Sequence, residues 1–125
     1  MSKKNKGLCL TMIVKNESKI IKRCLDSVKD HIDYWVIVDT GSTDGTQEII
    51  KKHLEDIPGE LHQSEFISFG HNRNESLMLS KEKGRYILLM DADLEFKVKN
   101  PNFKKEIIKK NKDAYLLVEA GEIDK

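Results

Sequence analysis

The sequence has few of the residues that mark disulfide-rich or membrane-spanning proteins. Among its 125 residues there are only two cysteines and two prolines, and aromatic side chains make up 6%. Because two cysteines cannot build a disulfide framework, Cys9 and Cys24 are predicted to be free, buried side chains in a reducing compartment. No apolar run approaches the ~20 residues that a membrane-spanning helix needs.

The chain also lacks an excess of charge of either sign. Its 22 basic residues nearly cancel its 21 acidic residues, so the net charge is +1. This balance excludes a global field that would hold a nucleic acid or an anionic membrane, and an anionic ligand must be bound locally. The basic start and the apolar run Leu8–Val14 do not form a signal peptide, because the run is short and has no cleavage site. We therefore expect a cytoplasmic protein.

The length and composition fit one compact domain spanning residues 1–125. Short apolar runs predict its strands, with Glu60–Ser64 the weakest: Leu8–Val14, Tyr34–Val38, Glu60–Ser64, Tyr86–Met90 and Ala114–Val118. Helices are predicted between them. The first runs from Ser18 to about Ile32 with Asn16 or Ser18 as cap, and the second follows the turn at residues 40–46, carries Ile49, Ile50, Leu54 and Ile57 on one side and stops at Pro58-Gly59. The third runs from about His71 to Lys83 with Gly84 as C-terminal cap, and the fourth lies after Pro101 and ends at about Lys112.

Alternating strands and helices, with strands that are continuously apolar, predict an α/β fold. We expect a three-layer α/β/α sandwich with a mostly parallel sheet. Three polar clusters follow directly after strands: residues 15–17, 39–44 and 91–93. Because ligands bind at the carboxyl ends of parallel strands, the fold is predicted to gather these clusters at one rim.

Asp91 and Asp93 are two residues apart after the most apolar strand. If the backbone stays extended, both carboxylates point to one side, within reach of a common cation. Mg²⁺ or Mn²⁺ prefers such oxygen ligands and completes its shell with water and phosphate oxygens. Taken alone, the same pattern also fits a solvated turn.

Asp39 has the same placement after another apolar strand, where a carboxylate can accept hydrogen bonds from a base or a ribose. Capping of the next helix is an alternative for Asp39, and it is the favoured interpretation for Thr43 and Asp44. The glycines Gly41 and Gly45 give this turn its backbone freedom. Dinucleotide-binding and P-loop fingerprints are both absent, and the histidines lack the spacing of a zinc site.

Four segments together resemble the family 2 glycosyltransferases in order and spacing. They are TMIVKNE, VIVDTGSTDGT, FGHNRN and ILLMDAD, and the resemblance covers roughly Leu8 to Glu95. It implies a GT-A fold, a nucleotide-diphosphate sugar donor that usually carries uridine, a Mn²⁺ or Mg²⁺ ion, and transfer with inversion.

The resemblance also implies roles for individual residues. Asp39 matches the aspartate that recognises the base, and Arg73 matches the arginine of an Arg-Asn pair on the nucleotide side, with Asn74 as its partner. Asp91 stands near the ribose, and Asp93 is the direct metal ligand of a DxD motif. The resemblance places further residues at the nucleotide sugar: Val14, Asn16, Glu17, Gly41, Ser42, Asp44 and Ala92.

The chain departs from the family pattern in three places. Lys15 stands where relatives often carry an aromatic residue, and Leu94 stands where many carry another acid. The carboxylate base of the family lies well beyond the DxD motif, so we expect it beyond the C-terminus and assign the role to neither Glu119 nor Glu122. The chain is then the donor-binding part, with the acceptor-binding half missing, and a partner chain or an oligomer is one way to supply it.

Two other classes of function remain as alternatives. One is a non-catalytic or remnant module that binds the donor without transfer. The other is a phosphohydrolase of the haloacid dehalogenase type, with Asp91 as nucleophile, although Glu95 stands where that motif normally has Thr or Val. A sugar nucleotidyltransferase would need a glycine-rich loop after the first strand, which this sequence lacks.

Overall fold

A computed structural model describes residues 7–96 and 116–117 of the chain. In chain order the helices and strands are β1 (Leu8–Val14), α1 (Ile21–Val28), β2 (Tyr34–Asp39), α2 (Thr46–His53), β3 (Gly59–Gln63), α3 (Phe69–Ser80), β4 (Tyr86–Leu89) and β5 (Leu116–Leu117). A short 3₁₀ turn, Lys29–His31, follows α1. This is the α/β class that the alternating pattern predicts.

The strands form one parallel sheet in the order β3-β2-β1-β4-β5. The central strand β1 pairs on both sides, so that Leu10 lies opposite Trp35 of β2 and Leu88 of β4. The chain first moves outward from β1 to β3 and then crosses back to β4. The direction of winding therefore reverses beside β1, which is where open parallel sheets form a ligand crevice.

The helices lie on both faces of the sheet. Right-handed crossovers in opposite directions place α1 and α2 on one face and α3 on the other. The α1/α2 face is apolar, and fully buried side chains such as Leu10, Leu25 and Ile50 each contribute about 1.5–3 kcal/mol there. The α3 face includes buried polar groups, because the hydroxyls of Thr11 and Ser80 meet at 2.6 Å.

The predicted strands agree with the structure to within a residue or so at each described end. For the last predicted strand, Ala114–Val118, the described part is the pair Leu116–Leu117, whose backbone lies parallel to β4. The predicted helix after Pro101 falls outside the described residues. Both cysteines are free and buried, as predicted. In the described part of the chain, no helix has the length and apolar character needed to cross a membrane.

The predicted start of α1 is wrong. The helix begins at Ile21, and its N-cap Ile20 makes no side-chain capping bond. The helix starts instead from the carbonyl of Glu17, which accepts hydrogen bonds from the amides of Ile20 and Ile21 at 3.0 and 2.9 Å. Neither Asn16 nor Ser18 is the N-cap. The Asn16 side chain accepts from the amide of Thr43, and the Ser18 amide donates to Asp44, so both bond to the loop after β2.

Two helix ends also differ from the prediction, and both differences involve a glycine. Helix α2 ends at His53, before the predicted stop at Pro58-Gly59, and a side chain on Gly59 would overlap the indole of Trp35. Helix α3 ends at Ser80, with Lys81 as its C-cap, so Gly84 is not the cap. A Cβ on Gly84 would lie 2.8 Å from the Cβ of Cys9. Both glycines therefore serve close packing against the sheet.

Candidate functional site

The three predicted polar clusters lie at the same rim of the sheet. They follow the carboxyl ends of β1, β2 and β4, and β1 lies between the other two strands. Because all the pairings are parallel, Asn16, Asp39 and Asp91 belong to one edge. The arrangement that the sequence predicts for these clusters is therefore present.

Hydrogen bonds join the loop after β1 to the loop after β2. Asn16 has a left-handed backbone with φ 52°, which an asparagine tolerates better than most residues. Its amide donates to the Ser42 hydroxyl at 2.7 Å, and its side-chain oxygen accepts from the amide of Thr43 at 2.8 Å. Nearer the sheet, the amide of Thr40 donates to the carbonyl of Val14 at 2.9 Å. The two loops thus form one unit.

Thr46 and Asp44 complete this connection. The buried Thr46 hydroxyl accepts from the amide of Glu17 at 2.9 Å and donates to the carboxylate of Asp44. The same carboxylate accepts from the amides of Thr46 and Ser18, each at 3.1 Å. Hydrogen bonds from Thr46 and Ser18 lower the pKa of Asp44 to about 2. Asp44 thus supplies an acceptor for the first backbone amide of α2, that of Thr46, next to the N-cap Gly45 with its left-handed backbone.

Asp39 is a buried carboxylate at the end of β2, with only 1% of its surface exposed. Its Oδ1 accepts from the amides of Gly41 and Ser42, each at 2.8 Å. Its Oδ2 is buried and has no hydrogen-bond partner among the described residues. Burial alone would raise the pKa of Asp39, but hydrogen bonds from Ser42 and Gly41 outweigh it and lower the pKa. Asp39 is therefore an anion with an unused acceptor oxygen.

Helix α3 brings Arg73 to the end of β4. An Nη2 atom of Arg73 lies 3.7 Å from Oδ1 of Asp91, and the two side chains are 45% and 58% exposed. A pair this exposed contributes little to stability, so both groups stay available to a ligand. Asn74, the predicted partner of Arg73, lies in α3 with an exposed side chain.

The Asp91–Asp93 segment forms a turn, so the extended backbone on which the common direction of the two carboxylates depends is not present. The amide of Leu94 donates to the carbonyl of Asp91 at 3.1 Å, which closes a turn. Within it Ala92 is buried, at 3% exposure, while Asp91 and Asp93 are both exposed. The turn therefore presents both carboxylates to solvent with the alanine underneath.

Glu17 adds a further carboxyl group to this acidic edge. Burial, and then the negative charges of Asp93, Asp44 and Asp91, raise the pKa of Glu17. Within residues 7–96 and 116–117, no three histidine, cysteine or acidic side chains come close enough to hold a metal ion by themselves. A cation at this edge would need other oxygen ligands besides the protein.

A pocket of about 350 Å³ opens at the same edge, beside the end of β1. Its lining residues come from the ends of β1 and β2 and the start of α3: Ile13, Val14, Lys15, Glu17, Thr40, Phe66 and Phe69. Phe66 and Phe69 are 45% and 70% exposed, and their rings meet edge-on with centroids 5.5 Å apart. Sequence reasoning missed both residues, although the chain has only four phenylalanines.

Sequence reasoning also missed Asn72, which holds the segment that carries these phenylalanines. Asn72 is fully buried, and its side-chain oxygen accepts from the amides of Ile67 and Ser68 at 2.9 and 3.3 Å. Its side-chain nitrogen donates to the carbonyl of Glu65 at 3.1 Å. The motif Asn72-Arg73-Asn74 thus has one asparagine that organises the backbone and one that is exposed at the surface.

Comparison with known proteins gives the family of the chain and several similar proteins. The model of the family described as Glycosyl transferase family 2 matches residues 9–118. The glycosyltransferase SunS of a Bacillus subtilis prophage is 37% identical over 83 residues, which are 66% of this chain and 19% of that protein. A TPR repeat-containing protein of Synechococcus elongatus is 37% identical over 86 residues, 69% of this chain and 20% of that protein.

A solved structure with the same fold is that of S. aureus TarS, residues 1–349, in complex with UDP. It superposes with a TM-score of 0.65 at 24% identity and covers 82% of this chain and 31% of that chain. The chain thus spans about a fifth of the length of the curated relatives and under a third of TarS 1–349. The fold is of the GT-A type, and the chain belongs to glycosyl transferase family 2.

Proposed function

We propose that this chain binds the nucleotide part of a UDP-sugar together with Mn²⁺ or Mg²⁺. In this role it is the donor-binding part of a transferase that moves the sugar to an acceptor with inversion. The observation that carries the proposal is the gathering of Asp39, Arg73 and Asp91 at one edge of the sheet, beside an open pocket. Membership of the family supports transfer, and the UDP in the TarS structure supports uridine.

The pocket fits the base and ribose of a nucleotide. Its volume of about 350 Å³ is at the lower end of the ~300–1,000 Å³ that small-molecule pockets occupy. Phe66 and Phe69 offer aromatic surface to a planar ring, while Thr40 and Glu17 offer polar atoms. Asp39 immediately precedes the pocket residue Thr40, and its Oδ2 is buried without a hydrogen-bond partner among the described residues. In our proposal a small opening of the adjoining loop lets this oxygen accept from an N–H of the base or a ribose hydroxyl.

The acidic residues present fit a hard divalent cation. Asp91 and Asp93 are exposed carboxylates on one turn, and Mg²⁺ or Mn²⁺ often takes only one or two carboxylates. Water and the diphosphate would supply the remaining oxygens, as the lack of a third nearby protein ligand in the described part requires. When bound, the cation neutralises the charge that develops on the diphosphate leaving group.

The side chains around the metal position have separate tasks. Arg73 provides a positive group beside Asp91, and in our proposal it pairs with the diphosphate. Asp39 orients the base, and the joined loops after β1 and β2 keep that end fixed. In our proposal the carboxylate that deprotonates the acceptor comes from a part of the protein beyond these residues. The acceptor is a glycan, a lipid or a protein.

Titration calorimetry with UDP, GDP, CDP and TDP, with and without Mn²⁺, tests the proposal. We expect UDP to bind most tightly and Mn²⁺ to strengthen its binding. The variant Asp93→Ala should lose the metal-dependent part of binding, with a loss of Mn²⁺ affinity at least as large as the roughly 10- to 100-fold that removal of an outer-shell group costs. Asp56→Ala, which removes an exposed carboxylate from the turn after α2, is the matched control and should bind as wild type does.

The outcomes separate the candidate functions. If no nucleoside diphosphate binds in the presence of metal, or if Asp93→Ala binds as well as wild type, the proposed site is wrong. Hydrolysis of a UDP-sugar by the chain alone would show that these residues suffice for turnover. Metal-dependent binding without turnover would favour a donor-binding module that needs a further part for transfer.

A further inference from the structure

The loop Asp91–Phe96, which carries the two aspartates, is held to helix α1 by hydrogen bonds. The amide of Phe96 donates to the Ser27 hydroxyl at 2.8 Å, which in turn donates to the carbonyl of Cys24 at 2.7 Å. At the other end of the loop, the Cys24 thiol lies 3.7 Å from the carbonyl of Asp91 and donates to it. Both ends of the loop therefore meet one turn of α1.

Ser27 is the central group of this connection because its hydroxyl accepts and donates at once. The side chain of Phe96 is 5% exposed and packs in the core, so the end of the loop is fixed by burial as well as by this bond. Between the two fixed ends, Asp91 and Asp93 face solvent, and Arg73 is the one cationic group within ion-pair distance of them in the described part.

We propose that Ser27 is a positioning residue, which holds the loop Asp91–Phe96 so that its carboxylates meet the cation and diphosphate in a fixed geometry. The inference rests on the proposed function of Asp91 and Asp93. Removal of a group that orients a metal ligand lowers the affinity for the metal, although that group does not itself contact the metal. Ser27 touches neither ligand side chain and acts through the backbone of the loop.

The variant Ser27→Ala removes the hydroxyl and should fold, because alanine has the higher helix propensity. We expect its Mn²⁺ affinity in the presence of UDP to fall about tenfold, in the range seen for such supporting residues. Binding of UDP without metal should not change, because the base side of the site is untouched. Ser27→Thr keeps the hydroxyl and should restore Mn²⁺ affinity. Electron paramagnetic resonance of free Mn²⁺ measures the affinity directly.

Ser80→Ala is the matched control, because it removes a helix serine hydroxyl that is bonded to Thr11 and to the carbonyl of Ser76 on the α3 face. It should leave Mn²⁺ affinity unchanged. An equal loss of Mn²⁺ affinity in Ser80→Ala and Ser27→Ala would mean that general destabilisation is the cause, and it would overturn the proposal. So would wild-type affinity in Ser27→Ala.

Amide hydrogen exchange tests the positioning role without any ligand. Ser27→Ala should speed exchange at Leu94 and Phe96, and Ser27→Thr should return it to the wild-type rate. Unchanged exchange at Phe96 would overturn the proposal. If wild type binds no UDP with Mn²⁺, the proposed function fails; the assignment of Ser27 to metal positioning then fails with it, whereas faster exchange still shows that Ser27 orders the loop.

Discussion

The two pairs of aspartates at this edge of the sheet are used in opposite ways. Asp39 at the end of β2 and Asp44 in the loop that follows both accept hydrogen bonds from backbone amides. Hydrogen bonds lower the pKa of each carboxyl group, with the Thr46 side chain contributing most at Asp44. Asp91 and Asp93, in the loop after β4, are exposed, and Asp91 lies 3.7 Å from Arg73. The first pair thus organises backbone through at least one oxygen of each carboxylate, whereas the second pair lies exposed to solvent.

This difference divides the site into a preformed side, made of the loops after β1 and β2, and an incomplete side, made of the loop after β4. The loops after β1 and β2 are joined by hydrogen bonds between their own groups, so their geometry is set before a ligand binds. Burial, and then the negative charges of Asp93, Asp44 and Asp91, raise the pKa of Glu17. A bound cation would offset this negative charge near the loop after β4. Substitutions in the preformed side should therefore cost stability, whereas those in the incomplete side should cost mainly metal binding.

The largest effect is expected from Asp39→Ala, which leaves the amides of Gly41 and Ser42 without their acceptor. We expect a loss of about 2–3 kcal/mol in the free energy of unfolding. Urea unfolding followed by circular dichroism measures it. Asp39→Asn keeps an acceptor oxygen and should lose clearly less stability. A wild-type midpoint for Asp39→Ala would show that Asp39 does not organise the loop.

Thr46→Val comes next, since it replaces a fully buried hydroxyl by a methyl group of similar size. The amide of Glu17 loses its acceptor and Asp44 loses a donor, so we expect a cost of about 1–2 kcal/mol. Thr43→Val is the control in the same loop, because the Thr43 side chain is exposed. Equal unfolding midpoints for the two variants would contradict the proposed connection between the loops.

A smaller effect is expected from Asn16, whose left-handed backbone glycine adopts freely and alanine does not. Both Asn16→Gly and Asn16→Ala lose the bond to Thr43, so their difference isolates the backbone. Asn16→Ala should be less stable than Asn16→Gly by about 1 kcal/mol. Thermal unfolding of the two variants measures the difference, and equal stabilities would show that the turn relaxes to an ordinary conformation.

The fold could be predicted from the sequence where one physical cause dominates. The strands are apolar because the sheet is covered on both faces, so β1, β2 and β4 follow directly from Leu8–Val14, Tyr34–Asp39 and Tyr86–Leu89. The common rim then follows from the parallel order. The helix ends could not be predicted, because Gly59 and Gly84 look like local stop signals but are glycines for packing against Trp35 and Cys9.

The site could be predicted in its acidic residues but not in its connections. The bonds of Asn16 to Ser42 and Thr43 join residues far apart in the chain, and they depend on a backbone angle that no pattern displays. Helix α3 buries Asn72 and two serines, so hydrophobic periodicity gives a poor account of its start. The place of Phe66 in the pocket could not be predicted, because an aromatic side chain is expected in the core and Phe66 is exposed.

The smallest effect concerns pH, because Asp44 is exposed to solvent although its pKa is lowered to about 2 by hydrogen bonds from Thr46 and Ser18. A carboxyl group with a lowered pKa stabilises the fold above its unfolded pKa of about 4, and that contribution is lost as pH falls to about 2. Asp44→Asn should therefore be less stable than wild type at neutral pH, and the gap should close between about pH 4 and pH 2. Asp56→Asn, which changes a carboxylate in an exposed turn outside these loops, is the matched control. Urea midpoints measured at several pH values decide the matter, and a gap for Asp44→Asn that does not change with pH would mean that the carboxylate charge plays no part in joining the loops.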